Sequence, residues 1–165
     1  MPLGSAETVA LTGMMGAGKS TVARELGRLL GRPVVSTDAA VEAAAGATVE
    51  RIFAERGEPA FRSLERQAVA ALRGPLVADL GGGAFCDPEG AGHLLRVGRV
   101  VFLDVTPREA ERRLGGGEGR PLSDRWEPLL RRRLPLYRRA HLAVAVDGLT
   151  AEAVARRVRD LLEAR

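Results

Sequence analysis

The chain has 165 residues, of which 45% are hydrophobic, 28% charged and only 4% aromatic; this suits one globular domain with a core built mostly from Ala, Val and Leu. No apolar run approaches the length of a membrane span, the start Met1-Pro2-Leu3-Gly4-Ser5-Ala6 has no charged segment leading into an apolar one, and the single cysteine, Cys86, excludes an internal disulfide framework. A cytoplasmic protein with no membrane attachment is expected, and the net charge of +4 suits anionic ligands.

The first apolar run, Thr8 to Leu11, reads as a buried strand. It leads into Gly13-Met14-Met15-Gly16-Ala17-Gly18-Lys19-Ser20-Thr21, which meets every fixed position of the G-x-x-x-x-G-K-[ST] phosphate-binding loop. The context is right as well, because Val22, Leu26, Leu29 and Leu30 follow at helical spacing. Glycines let the backbone turn its N–H groups inward around phosphates, and the helix N-terminus adds a favourable partial charge. Gly13, Gly16, Ala17, Gly18, Lys19, Ser20 and Thr21 are therefore expected to contact a nucleotide. Lys19 is expected at the β- and γ-phosphates and the Ser20 hydroxyl on Mg²⁺. Lys19 is the only lysine among 25 basic residues. An ammonium was kept at the one place where a compact charge differs most from a planar guanidinium.

A second run, Val34 to Ser36, precedes Thr37-Asp38. Asp38, at a strand's carboxyl end, is either an acceptor for an attacking hydroxyl or the N-cap of a helix over Ala39 to Ala45. In Phe61-Arg62-Ser63-Leu64-Glu65 the Arg62–Glu65 spacing puts both side chains on one helix face. The pair either holds Arg62 for forked binding of a carboxylate or is a plain surface ion pair. The third strand, Leu76 to Leu80, ends in Gly81-Gly82-Gly83, which permits close backbone approach by a ligand or forms a simple loop.

A fourth strand, Val100 to Asp104, is followed by Thr106-Pro107-Arg108-Glu109, a capping-box helix start. Gly115-Gly116-Gly117-Glu118-Gly119 is too poor in side chains to pack and reads as a mobile loop. The fifth strand is Leu142 to Val146. A last helix starts near Thr150 or Ala151, with Val154, Val158, Leu161 and Leu162 as its apolar stripe. Alternating strands and helices predict an α/β three-layer sandwich on a five-stranded parallel sheet, in one domain over 1–165. His93, His141 and Cys86 form no cluster with metal-ligand spacing.

In order and spacing, the phosphate loop, Asp38, Phe61-Arg62-x-x-Glu65, Gly81 to Gly83, Arg120-Pro121-Leu122 and Arg133-x-Pro135-Leu136-Tyr137 resemble the shikimate kinases. The resemblance runs from about Val9 to the C-terminus. It implies a P-loop fold of the nucleoside-monophosphate-kinase type and transfer of a phosphoryl group from ATP, with Mg²⁺, to the 3-hydroxyl of shikimate. It also implies roles. Asp38 would contact the substrate hydroxyls and act as base, and Arg62 and Arg133 would clamp the carboxylate. Gly81, Gly82 and Gly83 would approach the ring. Arg120 would reach the ATP phosphates from a mobile lid at about 114–125, and Thr150 would lie by the adenine. The family commonly has Asp-x-Asp where this chain has Ser36-Thr37-Asp38, and the first Asp helps to hold Mg²⁺ through water. Ser36, uncharged, therefore implies a weaker hold on the metal.

Two other readings were open at this level. One is a related kinase for another polar acid such as gluconate. The other is a nucleotide-dependent module binding nucleic acid through Arg131, Arg132, Arg133, Arg138 and Arg139, with Trp126 and Tyr137 as nearby aromatics. The expectation is a monomer acting on small molecules, with no nucleic acid partner.

Overall fold

The computed structural model describes residues 2–115 and 124–164. All five apolar runs form strands: β1 (Thr8–Thr12), β2 (Val34–Ser36), β3 (Val77–Asp79), β4 (Gly98–Asp104) and β5 (Leu142–Ala145). Their spatial order is β2-β3-β1-β4-β5 and every pairing is parallel. Parallel strands need long crossovers, and helices supply them on both faces. They are α1 (Lys19–Leu30), α2 (Thr37–Ala45), α3 (Val49–Arg56), α4 (Glu58–Ala70), α5 (Pro88–Val97), α6 (Pro107–Leu114), α7 (Trp126–Tyr137) and α8 (Ala151–Glu163). The three layers expected from the alternation are present.

β1 is buried along its whole length, and so are most of β4 and the first two residues of β3. This explains their unbroken Val, Ala and Leu runs: a strand covered on both faces has no solvent side to mark with polar residues. The main core spans the sheet and the helices packed on both of its faces. A small second cluster joins Val41 of α2, Ile52 of α3 and Phe61 of α4. These three helices thus pack on one another, and α4 also joins the main core through Val69.

Three local expectations are corrected. Asp38 is not the N-cap of α2. Ser36 takes that place, its hydroxyl accepting from the Ala39 N–H at 3.2 Å, and Asp38 falls in the first turn with its carboxylate free for other work. At α6, Thr106 caps as expected by accepting from the Glu109 N–H at 3.3 Å, but the reciprocal half of the capping box is missing. Glu109 instead pairs with Arg112 and Arg113, while the Thr106 N–H donates to Asp147 at 3.0 Å. In α8, capped by Thr150, Leu161 is 41% exposed. The buried stripe is Val154, Ala155, Val158 and Leu162, because four positions at that spacing already fill the face turned to the sheet.

Candidate active site

The phosphate loop runs between the end of β1 and the start of α1. Gly13, Gly16 and Gly18 have φ of 149°, 88° and 83°, where a side chain would be strained. Gly18 is the N-cap of α1 with no side-chain cap, so the first N–H groups of the helix are left for a ligand. The Lys19 ammonium donates to the carbonyl oxygens of Gly13 at 2.8 Å and Met14 at 3.2 Å. It curls over the loop that it would otherwise fill with phosphate. Burial lowers its pKa, Asp79 and Asp38 act to raise it, and Arg133 lowers it further. Asp79, Asp38 and Arg133 thus stand close enough to the loop to act on its one lysine.

The triple glycine organises that second half. A Cβ on Gly81 would stand 2.6 Å from Asp38 Oδ1 and 3.0 Å from Glu65 Oε2. One on Gly82 would stand 2.8 Å from Arg133 Nη1, and one on Gly83 would run into the Arg62 guanidinium. Each glycine makes room for a different site side chain. Gly82 also lies 3.7 Å, from the position of its missing Cβ, to the Gly13 carbonyl oxygen, so the two halves adjoin. The Gly81 N–H donates to the buried Thr37 hydroxyl at 2.8 Å, which ties the turn to α2.

Arg62 donates to Glu65 Oε1 at 2.8 Å and pairs with Glu58 at 3.4 Å. Glu65 is 2% exposed. Arg62 is half-buried and its partner fully so, which sets this apart from the plain surface pair that the spacing also allowed. The outer oxygens Asp38 Oδ1 and Glu65 Oε2 are buried without a partner among the described residues. Burial pushes the Asp38 carboxyl up, Asp79 adds to the rise and Lys19 opposes it. Burial likewise raises Glu65, against the pull of Arg62. Two unpaired carboxylate oxygens facing a glycine suit ligand hydroxyls, since each is costly to leave unmet.

A cavity of about 550 Å³ over the loop is lined by Gly18, Lys19, Ser20, Arg113, Leu149 and Val154, among others. Another, of about 370 Å³, is lined by Arg62, Gly83, Cys86, Arg132, Arg133 and Leu136, among others. Cys86 thus borders the second cavity. Thr150 spends its hydroxyl on capping α8 by accepting from the Ala153 N–H at 3.1 Å, and its neighbours Leu149 and Ala151 line the first cavity. Arg120, Pro121 and Leu122 lie outside the described residues, as does most of the expected lid.

Four contributors had no role assigned from the sequence, although Tyr137 stands in the Arg133-x-Pro135-Leu136-Tyr137 motif and Trp126 and Tyr137 were weighed as aromatics near the arginines. Asp79, at the end of β3, accepts from the Ser20 hydroxyl at 2.6 Å. Arg113 donates to the carbonyls of Gly16 (3.3 Å), Ala17 (3.2 Å), Val146 (3.1 Å) and Leu149 (3.4 Å), bridging the loop to the segment before α8. The buried Tyr137 hydroxyl donates to the Gly82 carbonyl at 2.6 Å, and burial pushes its pKa up to about 12. The Trp126 indole N–H donates to the Met15 carbonyl at 3.1 Å. An apolar strand closing on an acidic residue was the available signal for Asp79, the motif was the signal for Tyr137, and Arg113 carried none. Trp126 and Tyr137 are 1% and 0% exposed, so neither offers a face on which a base could stack. His93 and His141 bond the backbone at Leu72 and Val100.

The donor set also fits Mg²⁺. A hydroxyl and a carboxylate are hard oxygen ligands. The described residues hold no group of three or more His, Cys, Asp or Glu that could cage a metal. Such an ion would draw most of its shell from nucleotide phosphates and water.

The shikimate kinase family model matches residues 15–163. The chain belongs to the shikimate kinase family. The shikimate kinase of Moorella thermoacetica is 42% identical over 165 residues, covering 94% of both chains. Among solved structures, the shikimate kinase from Acinetobacter baumannii in complex with shikimate superposes with a TM-score of 0.85 at 32% identity, over 94% of this chain and 92% of that one. The enzyme from Bacteroides thetaiotaomicron gives 0.86 at 34% identity, over 96% and 99%. Shikimate kinases are transferases that use ATP with Mg²⁺ to phosphorylate shikimate, and the P-loop architecture here is theirs.

Proposed function

We propose that this shikimate kinase binds ATP in the cavity over the phosphate loop and holds the 3-hydroxyl of shikimate beside Gly81, with the substrate carboxylate toward the cavity lined by Arg62 and Arg133. The convergence of Asp38, Arg133 and Arg62 on three successive glycines, next to Gly13, carries this reading. Arg62 and Arg133 fork onto the substrate carboxylate, with Arg62 held in place by Glu65. Asp38 accepts a hydrogen bond from the attacking hydroxyl and orients it, and its raised pKa makes it a better proton acceptor than an exposed Asp. On nucleotide binding Lys19 leaves the Gly13 and Met14 carbonyls and pairs with the β- and γ-phosphates. The α1 N-terminus and the loop N–H groups face the same oxygens. Mg²⁺ bound with ATP supplies further charge neutralisation at the transferred group. Arg120, outside the described residues, contacts the ATP phosphates, as the family resemblance implies.

Catalysis of this kind is positioning plus electrostatic stabilisation with little covalent work for the protein. On this reading the enzyme acts as a monomer on small-molecule ligands. No helix among the described residues is long and apolar enough to cross a membrane; this and the absence of a disulfide framework support a cytoplasmic location. Coupled ADP release across a panel of small hydroxy acids tests the assignment. Turnover with shikimate and none with gluconate is expected. Turnover stimulated only by an oligonucleotide would refute it.

A further inference from the structure

Ser20 and Asp79 are 59 residues apart in the chain, yet the Ser20 hydroxyl donates to Asp79 Oδ2 at 2.6 Å. Serine has one proton to give and two lone pairs. With the proton committed to a carboxylate, the lone pairs turn away from Asp79 and remain free to meet a cation. The carboxylate itself is well anchored. Val77 and Ala78 before it are fully buried, and β3 is hydrogen-bonded on both sides, to β1 and β2. Among the described residues Asp79 forms no ion pair, so no arginine competes for it.

The register adds the decisive point. Ser36 on β2 pairs with Asp79 on β3. Neighbouring strands lie about 4.8 Å apart, so these two positions end at the same height on the ligand side of the sheet. The Ser36 hydroxyl is occupied, because it caps α2 by accepting from the Ala39 N–H. Asp79 has no such structural duty beyond its bond to Ser20. A carboxylate displaced by one strand reaches the same hydration shell, and Mg²⁺ typically takes one or two protein carboxylates with its phosphates and waters.

We propose that Asp79 is the protein carboxylate through which this kinase holds the hydrated Mg²⁺ of its nucleotide, and that Ser36 is a helix cap with no part in metal binding. The weaker hold on the metal expected from Ser36 then does not arise, since the missing charge is present one strand away. The inference rests on the reading that Ser20 is the metal's contact in the loop.

The test reads metal affinity directly, in the full chain. Mn²⁺ is titrated into the protein saturated with ADP, and free Mn²⁺ is followed by its electron paramagnetic resonance signal. ADP affinity in EDTA is measured alongside. Asp79→Asn is expected to weaken Mn²⁺ binding about 10–100-fold, the usual effect of losing an outer-shell partner, while metal-free ADP affinity stays within about twofold. Asp79→Ser, run in parallel, guards against a replacement that folds poorly. Ser36→Ala is expected to leave Mn²⁺ affinity unchanged. Unchanged Mn²⁺ affinity in both Asp79 variants, or a loss in Ser36→Ala matching theirs, would overturn the proposal. A Ser20→Ala variant separates the two readings: if it too leaves Mn²⁺ affinity intact, the placement of the metal at Ser20 fails, and with it the site on which the proposal stands.

Discussion

The Tyr137 hydroxyl donates to the Gly82 carbonyl oxygen over 2.6 Å, fastening the last turn of α7 to the glycine turn at which Arg133, one helical turn earlier, also ends. Tyr137 stacks on Phe102 of β4, with ring centroids 5.0 Å apart, so the sheet holds the bond in place. Tyr137→Phe keeps the ring and leaves the carbonyl unmet. A loss of about 1–3 kcal/mol in unfolding free energy is expected, with a raised KM for shikimate and an unchanged KM for ATP. Denaturant titration and steady-state kinetics check both, and equal changes in the two KM values would mean that the bond serves the fold alone.

Gly83→Ala places a methyl group where the Arg62 guanidinium now lies. A flexible side chain can give way, so stability is expected to change little. The carboxylate clamp loses its alignment, and a KM rise for shikimate of about tenfold, equivalent to ~1.4 kcal/mol, is expected with nucleotide affinity retained. Arg62→Lys, which keeps charge but loses the fork, is expected to act in the same direction. Normal shikimate KM in both variants would remove Arg62 from the clamp.

Lys19→Ala removes the one ammonium in the chain from a site where burial already works against its charge. By comparison with other preorganised donors, a loss of about 3–4 kcal/mol of transition-state stabilisation is expected, or 10²–10³ in kcat. Circular dichroism is expected to remain native, because Lys19 bonds only backbone carbonyls of its own loop. Turnover near the parent rate would contradict the role of the loop.

Asp38 gives a pH prediction whose sign follows from its raised pKa. Burial makes its charged form costly in the folded chain, so the group contributes stability below its unfolded pKa and loses it as pH rises through the higher folded value. Above that value the folded protein carries an uncomfortable carboxylate. In metal-free buffer, Asp38→Asn is therefore expected to raise the melting temperature at neutral pH, with the gain shrinking as pH falls through the folded pKa. The same variant is expected to lose most of its kcat. Thermal melts across pH, paired with kinetics, check this. A destabilised variant at neutral pH would show that the charge is favourable where it sits.

Much of this protein was determined by local chemistry that can be read without coordinates. The Val, Ala and Leu runs specified five buried strands, and the alternation with helical segments specified a parallel sheet. Gly13 to Thr21 specified a phosphate cradle, because the motif needs only consecutive residues and a strand and helix on either side. Asp38, Arg62 and Arg133 were legible as well, from their spacing and family resemblance. Tertiary structure decided what depends on register and crossing. It placed Asp79 opposite Ser36 and under Ser20, made Ser36 the cap of α2, set Gly81, Gly82 and Gly83 each beneath a different side chain, and brought Tyr137 to Gly82 across 55 residues. None of these has a sequence period or motif, since each joins separate elements whose relative positions follow only from how the whole sheet and its helices pack.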